Sequence, residues 1–125
     1  MHELGITQNI VSIVAEHANH RPVNRVVLEV GTLAGVMTDS IAFCFDVVAR
    51  GTALEGAVLE IRQIEARALC RACGAEFAQS TLFSACRCGS NRFERLSGDE
   101  LKIKEYELAS GSHPALEKHS GNAAR

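Results

Sequence analysis

Apolar residues near the start of the chain recur at helical spacing. Ile6, Ile10, Ile13, Val14 and His17 fall three and four residues apart, with Gln8 and Glu16 elsewhere on the cylinder, which predicts a helix over residues 4–18. Pro22 interrupts the pattern, and RVVLEV at 25–30 then alternates as a strand, with Val26, Leu28 and Val30 on one face and Gly31 at its end. Ile41, Cys44, Phe45 and Val48 form a second helical stripe. Thr38 or Asp39 is placed to cap it, and Gly51 suits its C-terminus. On this stripe Cys44 reads as a small core residue. Alternation returns over 57–64 and again over 100–108, predicting two further strands.

Between those last two strands the pattern is lost and the composition changes. Residues 1–65 balance at −4, residues 66–96 at +3, and the remainder at −1; the middle segment also holds four of the five cysteines. A strand that follows such a segment is expected to rejoin the first sheet. The domains expected are therefore 1–65 plus 97–108, with 66–96 as an inserted module. From 109 to 125 the apolar content is too low to pack, so a mobile tail is expected there. The chain has 125 residues, 46% hydrophobic and 22% charged, ordinary values for a globular protein. No apolar run reaches the roughly 20 residues that span a bilayer, and the N-terminus lacks a basic n-region and a cleavage site. No membrane association is expected, and the compartment expected is cytoplasmic, where cysteines read first as metal ligands or thiols.

Cys70 and Cys73 in LCRACGAEF, and Cys86 and Cys88 in SACRCGSNRF, are two close pairs, each followed by glycine. Thiolates on two tight turns brought together complete a tetrahedral S₄ site, and Gly74 and Gly89 permit the turns. Such a site has no open position and is structural, with Zn(II) the expected ion. Iron in the same ligand set, free thiols and a redox pair are the alternatives.

The opening Met1-His2-Glu3 is a second metal motif. The α-amine, the amide nitrogen of His2 and its Nδ1 can close adjacent chelate rings around one ion, and planar nitrogen donors suit Ni(II) or Cu(II) better than zinc. Glu3 can add a further ligand. The remaining histidines, His17, His20, His113 and His119, are given no metal role.

These motifs occur in an order that resembles the HypA/HybF family of hydrogenase nickel-incorporation proteins. The matching residues are the opening MHE, VVLEVGTLAGV, IAFCFDVVARGTALEGAVLEI, the cysteines 70, 73, 86 and 88, and SGDELKIKEYEL at 97–108. The resemblance implies an α+β fold: a small helix-and-sheet nickel-binding domain with an inserted zinc-ribbon module. It implies a metallochaperone, not an enzyme, that delivers Ni(II) to the large subunit of nickel-iron hydrogenase with a HypB-type GTPase, and it extends to urease maturation proteins as further partners. It places the nickel on His2 with Met1 and Glu3, and the zinc on Cys70, Cys73, Cys86 and Cys88. The family's second cysteine pair is typically C-P-x-C; here Ala85 stands where the first cysteine would be, and Cys86 takes the proline position. Asp39 is the nearest match to an acidic residue that assists nickel in some members, although an N-cap or first-turn charge is its preferred reading.

The competing function is a zinc-ribbon module that binds protein or nucleic acid, suggested by the arginine-rich insert. Phe77, Phe83 and Phe93 form no evident stacking platform for bases, so nucleic acid is not the expected partner. An enzyme is disfavoured because no phosphate-cradling loop or nucleophile-base set is visible. The second helix and the edge strands leave a homodimer open.

Overall fold

The computed structural model describes residues 2–110. The elements run α1 (Glu3–His17), β1 (Val23–Gly31), α2 (Thr38–Val48), β2 (Val58–Ile64), β3 (Arg67–Cys70), β4 (Glu76–Ala78), β5 (Phe93–Ser97) and β6 (Leu101–Leu108). They form two three-stranded sheets, ordered β2-β1-β6 and β4-β3-β5. The fold is α+β.

Strand β1 is central because it is apolar on both sides: Val26, Val27, Leu28 and Val30 are all buried. It pairs in parallel with β2, Val26 opposite Leu59 and Leu28 opposite Ile61, with α2 as the connecting crossover. On its other side it pairs antiparallel with β6, Leu28 opposite Ile103 and Val30 opposite Leu101. One face of this sheet packs Val26, Leu28, Ile103 and Tyr106 against Ile6, Ile10 and Val14 of α1 and Ile41 and Phe45 of α2. Among the described residues no helix covers the other face. There Arg25 pairs with Glu60 and Glu105, Arg62 with Glu60, and Lys102 with Glu29. The stems of these side chains account for the burial of Val27 beneath them.

Three expectations are revised. Helix α1 ends in a reversal made by its own backbone: Asn19 and His20 have φ of 55° and 60°, and the His20 N–H bonds back to the Ala15 carbonyl. The turn is complete before Pro22. Neither Thr38 nor Asp39 caps α2; the N-cap is Met37, without a side-chain bond of its own. Cys44 is half-buried rather than core, because the buried line of α2 runs through Ile41, Phe45 and Ala49 and leaves Cys44 on its margin.

The two sheets meet where the chain passes from β2 to β3 and returns from β5 to β6. A Cβ on Gly31 would lie 2.1 Å from the carbonyl carbon and oxygen of Gly98, and one on Gly98 would lie 2.3 Å from Ala66 Cβ. Backbone contact this close is possible only without side chains, and Gly98 also has φ of 110°. The contact is fastened by Leu33 N–H to the Gly98 carbonyl (2.7 Å), Thr32 N–H to the Ile64 carbonyl (3.0 Å) and Gly31 N–H to the Glu100 carbonyl (2.8 Å).

Gly31→Ala must displace backbone, so it is expected to destabilise the fold by about 3 kcal/mol or more, read as a lowered urea midpoint. Gly5→Ala, in α1 with nothing within 4 Å of the new methyl, is expected to stabilise it by about 0.5–1 kcal/mol.

Candidate metal centre

Strand β3 delivers Cys70 to the first turn of the inserted sheet. Two backbone bonds close that turn, Cys70 N–H to the Ala75 carbonyl (2.8 Å) and Gly74 N–H to the Cys70 carbonyl (2.9 Å), with Gly74 at φ 79°. The second turn repeats the pattern one residue shorter: Cys86 N–H bonds to the Ser90 carbonyl (3.2 Å) and Gly89 N–H to the Cys86 carbonyl (2.9 Å), with Gly89 at φ 92°. The C-x-C spacing thus yields a contracted knuckle, with Ala85 just outside it and no sulfur lost. The two turns are brought together by a sheet in which β3 lies between β4 and β5.

The four sulfurs converge. Cys70 Sγ lies 3.7 Å from Cys88 Sγ, Cys73 Sγ lies 3.6 Å from Cys86 Sγ, and all four fall within 4.8 Å of one another. A tetrahedral zinc with Zn–S of about 2.3 Å requires sulfur-sulfur separations of about 3.8 Å. The cluster therefore fits one zinc ion with no open position, and all five cysteines are free of disulfides. The first cysteine of each pair is buried and the second exposed.

The backbone prepares this site for thiolates. The Cys73 N–H, aided by that of Ala72, brings the Cys70 thiol down to about 6 against the opposing effect of burial. At Cys73 the Ala75 N–H favours the thiolate, but the neighbouring sulfurs of Cys86 and Cys70 outweigh it and the thiol is pushed up to about 11. Cys88 follows the same logic: the Ser90 N–H lowers it, Cys70 and Cys86 raise it, and the net shift is upward. Cys70 is ready to ionise near neutrality while Cys73 and Cys88 resist further negative charge, a conflict that a bound cation relieves.

His2 is exposed at the N-cap of α1. Met1, expected as a nickel donor, lies outside the described residues, as do His113 and His119. Glu3 is buried, and its Oε2 accepts the Met37 N–H at 2.9 Å. This bond ties the first turn of α1 to the start of α2 and supplies a side-chain acceptor for the N-cap N–H that no residue of α2 itself provides. Thr7 Oγ1 donates to the Glu3 carbonyl at 2.6 Å, fastening the same turn. The Met37 N–H holds the Glu3 carboxyl below its ordinary value of 4.5. Sequence reasoning missed this link, because a cap donated from 34 positions away leaves no local signature. Among the other histidines, His17 Nδ1 lies 2.6 Å from the buried Tyr106 hydroxyl and satisfies it.

A family model described as "Hydrogenase/urease nickel incorporation, metallochaperone, hypA" matches residues 1–108. The chain belongs to the HypA family. Among its HypA relatives are the hydrogenase maturation factors of Nostoc sp., 56% identical over 108 residues (86% of this chain, 96% of the relative), and of Rippkaea orientalis, 58% identical over 109 residues with the same coverage. The solution structure of the Ni metallochaperone HypA from Helicobacter pylori superposes with a TM-score of 0.62 at 22% identity, covering 86% of this chain and 97% of that one. HypA membership brings hydrogenase nickel incorporation with it, and the cysteine cluster fits the structural zinc expected beside the transported nickel. Among the described residues no helix is long and apolar enough to cross a membrane.

Zinc uptake by metal-stripped protein at pH 7 should release the protons held by Cys73 and Cys88. Calorimetry in buffers of different ionisation enthalpy measures that release, and zinc affinity should fall steeply below about pH 6 as Cys70 also protonates. Glu3 has a folded pKa below its unfolded one, so its stabilisation is present above about pH 4.5 and is lost as pH falls through the folded value. The melting-temperature difference between the parent and Glu3→Gln should accordingly be largest near neutrality and close on acidification.

Proposed function

We propose that the nickel cargo is carried at the amino end, by the Met1 amine and the His2 imidazole with its amide, and that the four cysteines hold zinc for shape alone. The observation that carries this reading is the contrast between the two donor sets. His2 is exposed at the head of a helix, while Cys70 and Cys86 are buried in a closed set of sulfurs. Exchangeable cargo needs few, accessible donors, and nitrogen donors of this kind favour Ni(II). A permanent ion needs a complete shell.

Glu3 sits beside these donors with one carboxylate oxygen already engaged by Met37. In this reading it fixes where the terminus starts and lends negative charge to the site. Residues 1–65 and 97–108 form the nickel-carrying domain and 66–96 the zinc module. The chain works without catalysis in the cytoplasm, receiving or passing nickel with a HypB-type GTPase and delivering it to the hydrogenase large subunit. A role in urease maturation follows from the breadth of the family.

Metal analysis of purified parent and His2→Ala protein tests the division of labour. Zinc near one per chain is expected in both, with high-affinity nickel binding lost from the variant by at least about 100-fold. Retention of nickel by His2→Ala, or loss of zinc with it, would refute the assignment.

A further inference from the structure

The four sulfurs of the metal centre are unequally covered. Cys70 and Cys86 are buried, while Cys73 and Cys88 are exposed. The residues on either side of the exposed pair, Ala72, Gly74, Arg87 and Gly89, are exposed as well, so nothing in the two turns screens these sulfurs. A closed shell leaves zinc no room for a further ligand, but it does not keep solvent from the outer sulfurs. Thiolate sulfur is the nucleophile toward peroxides, and exposure decides which sulfur meets the oxidant.

The contracted second turn restricts what an oxidised sulfur can join. Only Arg87 separates Cys86 from Cys88, and a disulfide spanning a single residue is strained. The sulfur contacts of 3.7 and 3.6 Å run between the turns instead, from Cys88 to Cys70 and from Cys73 to Cys86. Each contact therefore joins one exposed sulfur to one buried sulfur: the first is reached by solvent, and the second is placed to attack it once oxidised. The sheet holds the two turns in this relation. Cys70 lies opposite Phe93, and the Arg71 N–H bonds to the Arg92 carbonyl (2.9 Å).

We propose that Cys73 and Cys88 are sites of reversible oxidation by hydroperoxides, each resolved across the cluster to give Cys73–Cys86 and Cys70–Cys88 disulfides with loss of zinc. At each site the exposed thiolate sulfur attacks the peroxide. An S–O bond forms, the O–O bond breaks, and the second oxygen departs as hydroxide or alkoxide. The buried thiolate then attacks the sulfenic acid, forming the S–S bond and breaking S–O, with hydroxide as leaving group. Two thiolates together lose two electrons, and one peroxide gains them. A disulfide sulfur is no longer a thiolate ligand, so the second bond leaves zinc without donors. The cross-turn bonds then take over the ion's task and keep the turns together until a thiol reductant restores the four sulfurs. None of these steps involves the amino-terminal donors.

The test treats zinc-loaded full-length chain with hydrogen peroxide, both the parent and Cys44→Ala, which removes the one thiol outside the cluster. A chromogenic chelator reads zinc release, and mass spectrometry of alkylated tryptic peptides reads the bonds. Arg71 and Arg87 lie inside the two pairs, so trypsin puts Cys70 on peptide 68–71, Cys73 and Cys86 on 72–87, and Cys88 on 88–92. Both proteins should release about one zinc per chain. Peptide 68–71 should be joined to 88–92, peptide 72–87 should be closed on itself, and dithiothreitol should restore the thiols and zinc binding. Linkage of 68–71 to 72–87 would overturn the cross-turn pairing. Sulfinic or sulfonic acids in place of disulfides, chains joined to one another, or thiols that survive peroxide with zinc retained would overturn the proposal as a whole.

Discussion

The structure depends on backbone touching backbone at Gly31 and Gly98. Two segments joining the sheets approach to a distance no side chain tolerates, and the hydrogen bonds from Thr32 and Leu33 then lock the loop after β1 onto both. That loop ends at Met37, whose N–H is taken by Glu3. A single steric requirement therefore sets the relation of the two sheets and, through a short run of backbone, the place where α1 begins. The contact is made by residues with no chemistry to offer, so conventional inspection for functional groups passes over it.

The metal donors divide along the same line. Sulfur is supplied by turns whose N–H groups point inward and lower the cost of negative charge, in a cluster that gains most when a cation arrives. In the proposed nickel site, nitrogen would be supplied by the exposed start of α1. On that reading the difference in lability would come from burial and from the number of donors.

Much of this was legible in the sequence, for identifiable reasons. The period of Ile6, Ile10 and Val14, the alternation of Val26, Leu28 and Val30, and the paired cysteines are local patterns, and local patterns survive in one dimension. The return of residues 101–108 to the first sheet followed from them, and the α+β class from the family resemblance. What escaped was nonlocal or depended on geometry. The cap on α2 comes from the other helix, so Thr38 and Asp39 were favoured by proximity alone. Cys44 was placed in the core because a stripe read from spacing has no width, whereas the real buried line is set by how α2 sits on α1 and the sheet. The C-x-C pair departs from the family's spacing, and only the folded turn shows that it sheds one residue and keeps its bonds.

The position of β1 also bears on how the chain is made. Its parallel neighbour is complete by residue 64, but its antiparallel neighbour begins only at residue 101, after the whole sulfur-bearing segment. At roughly 5–20 residues per second, one flank of the most apolar strand waits several seconds on the ribosome with its hydrogen-bonding edge unpaired. During that interval the cysteine segment has emerged and is available to metal.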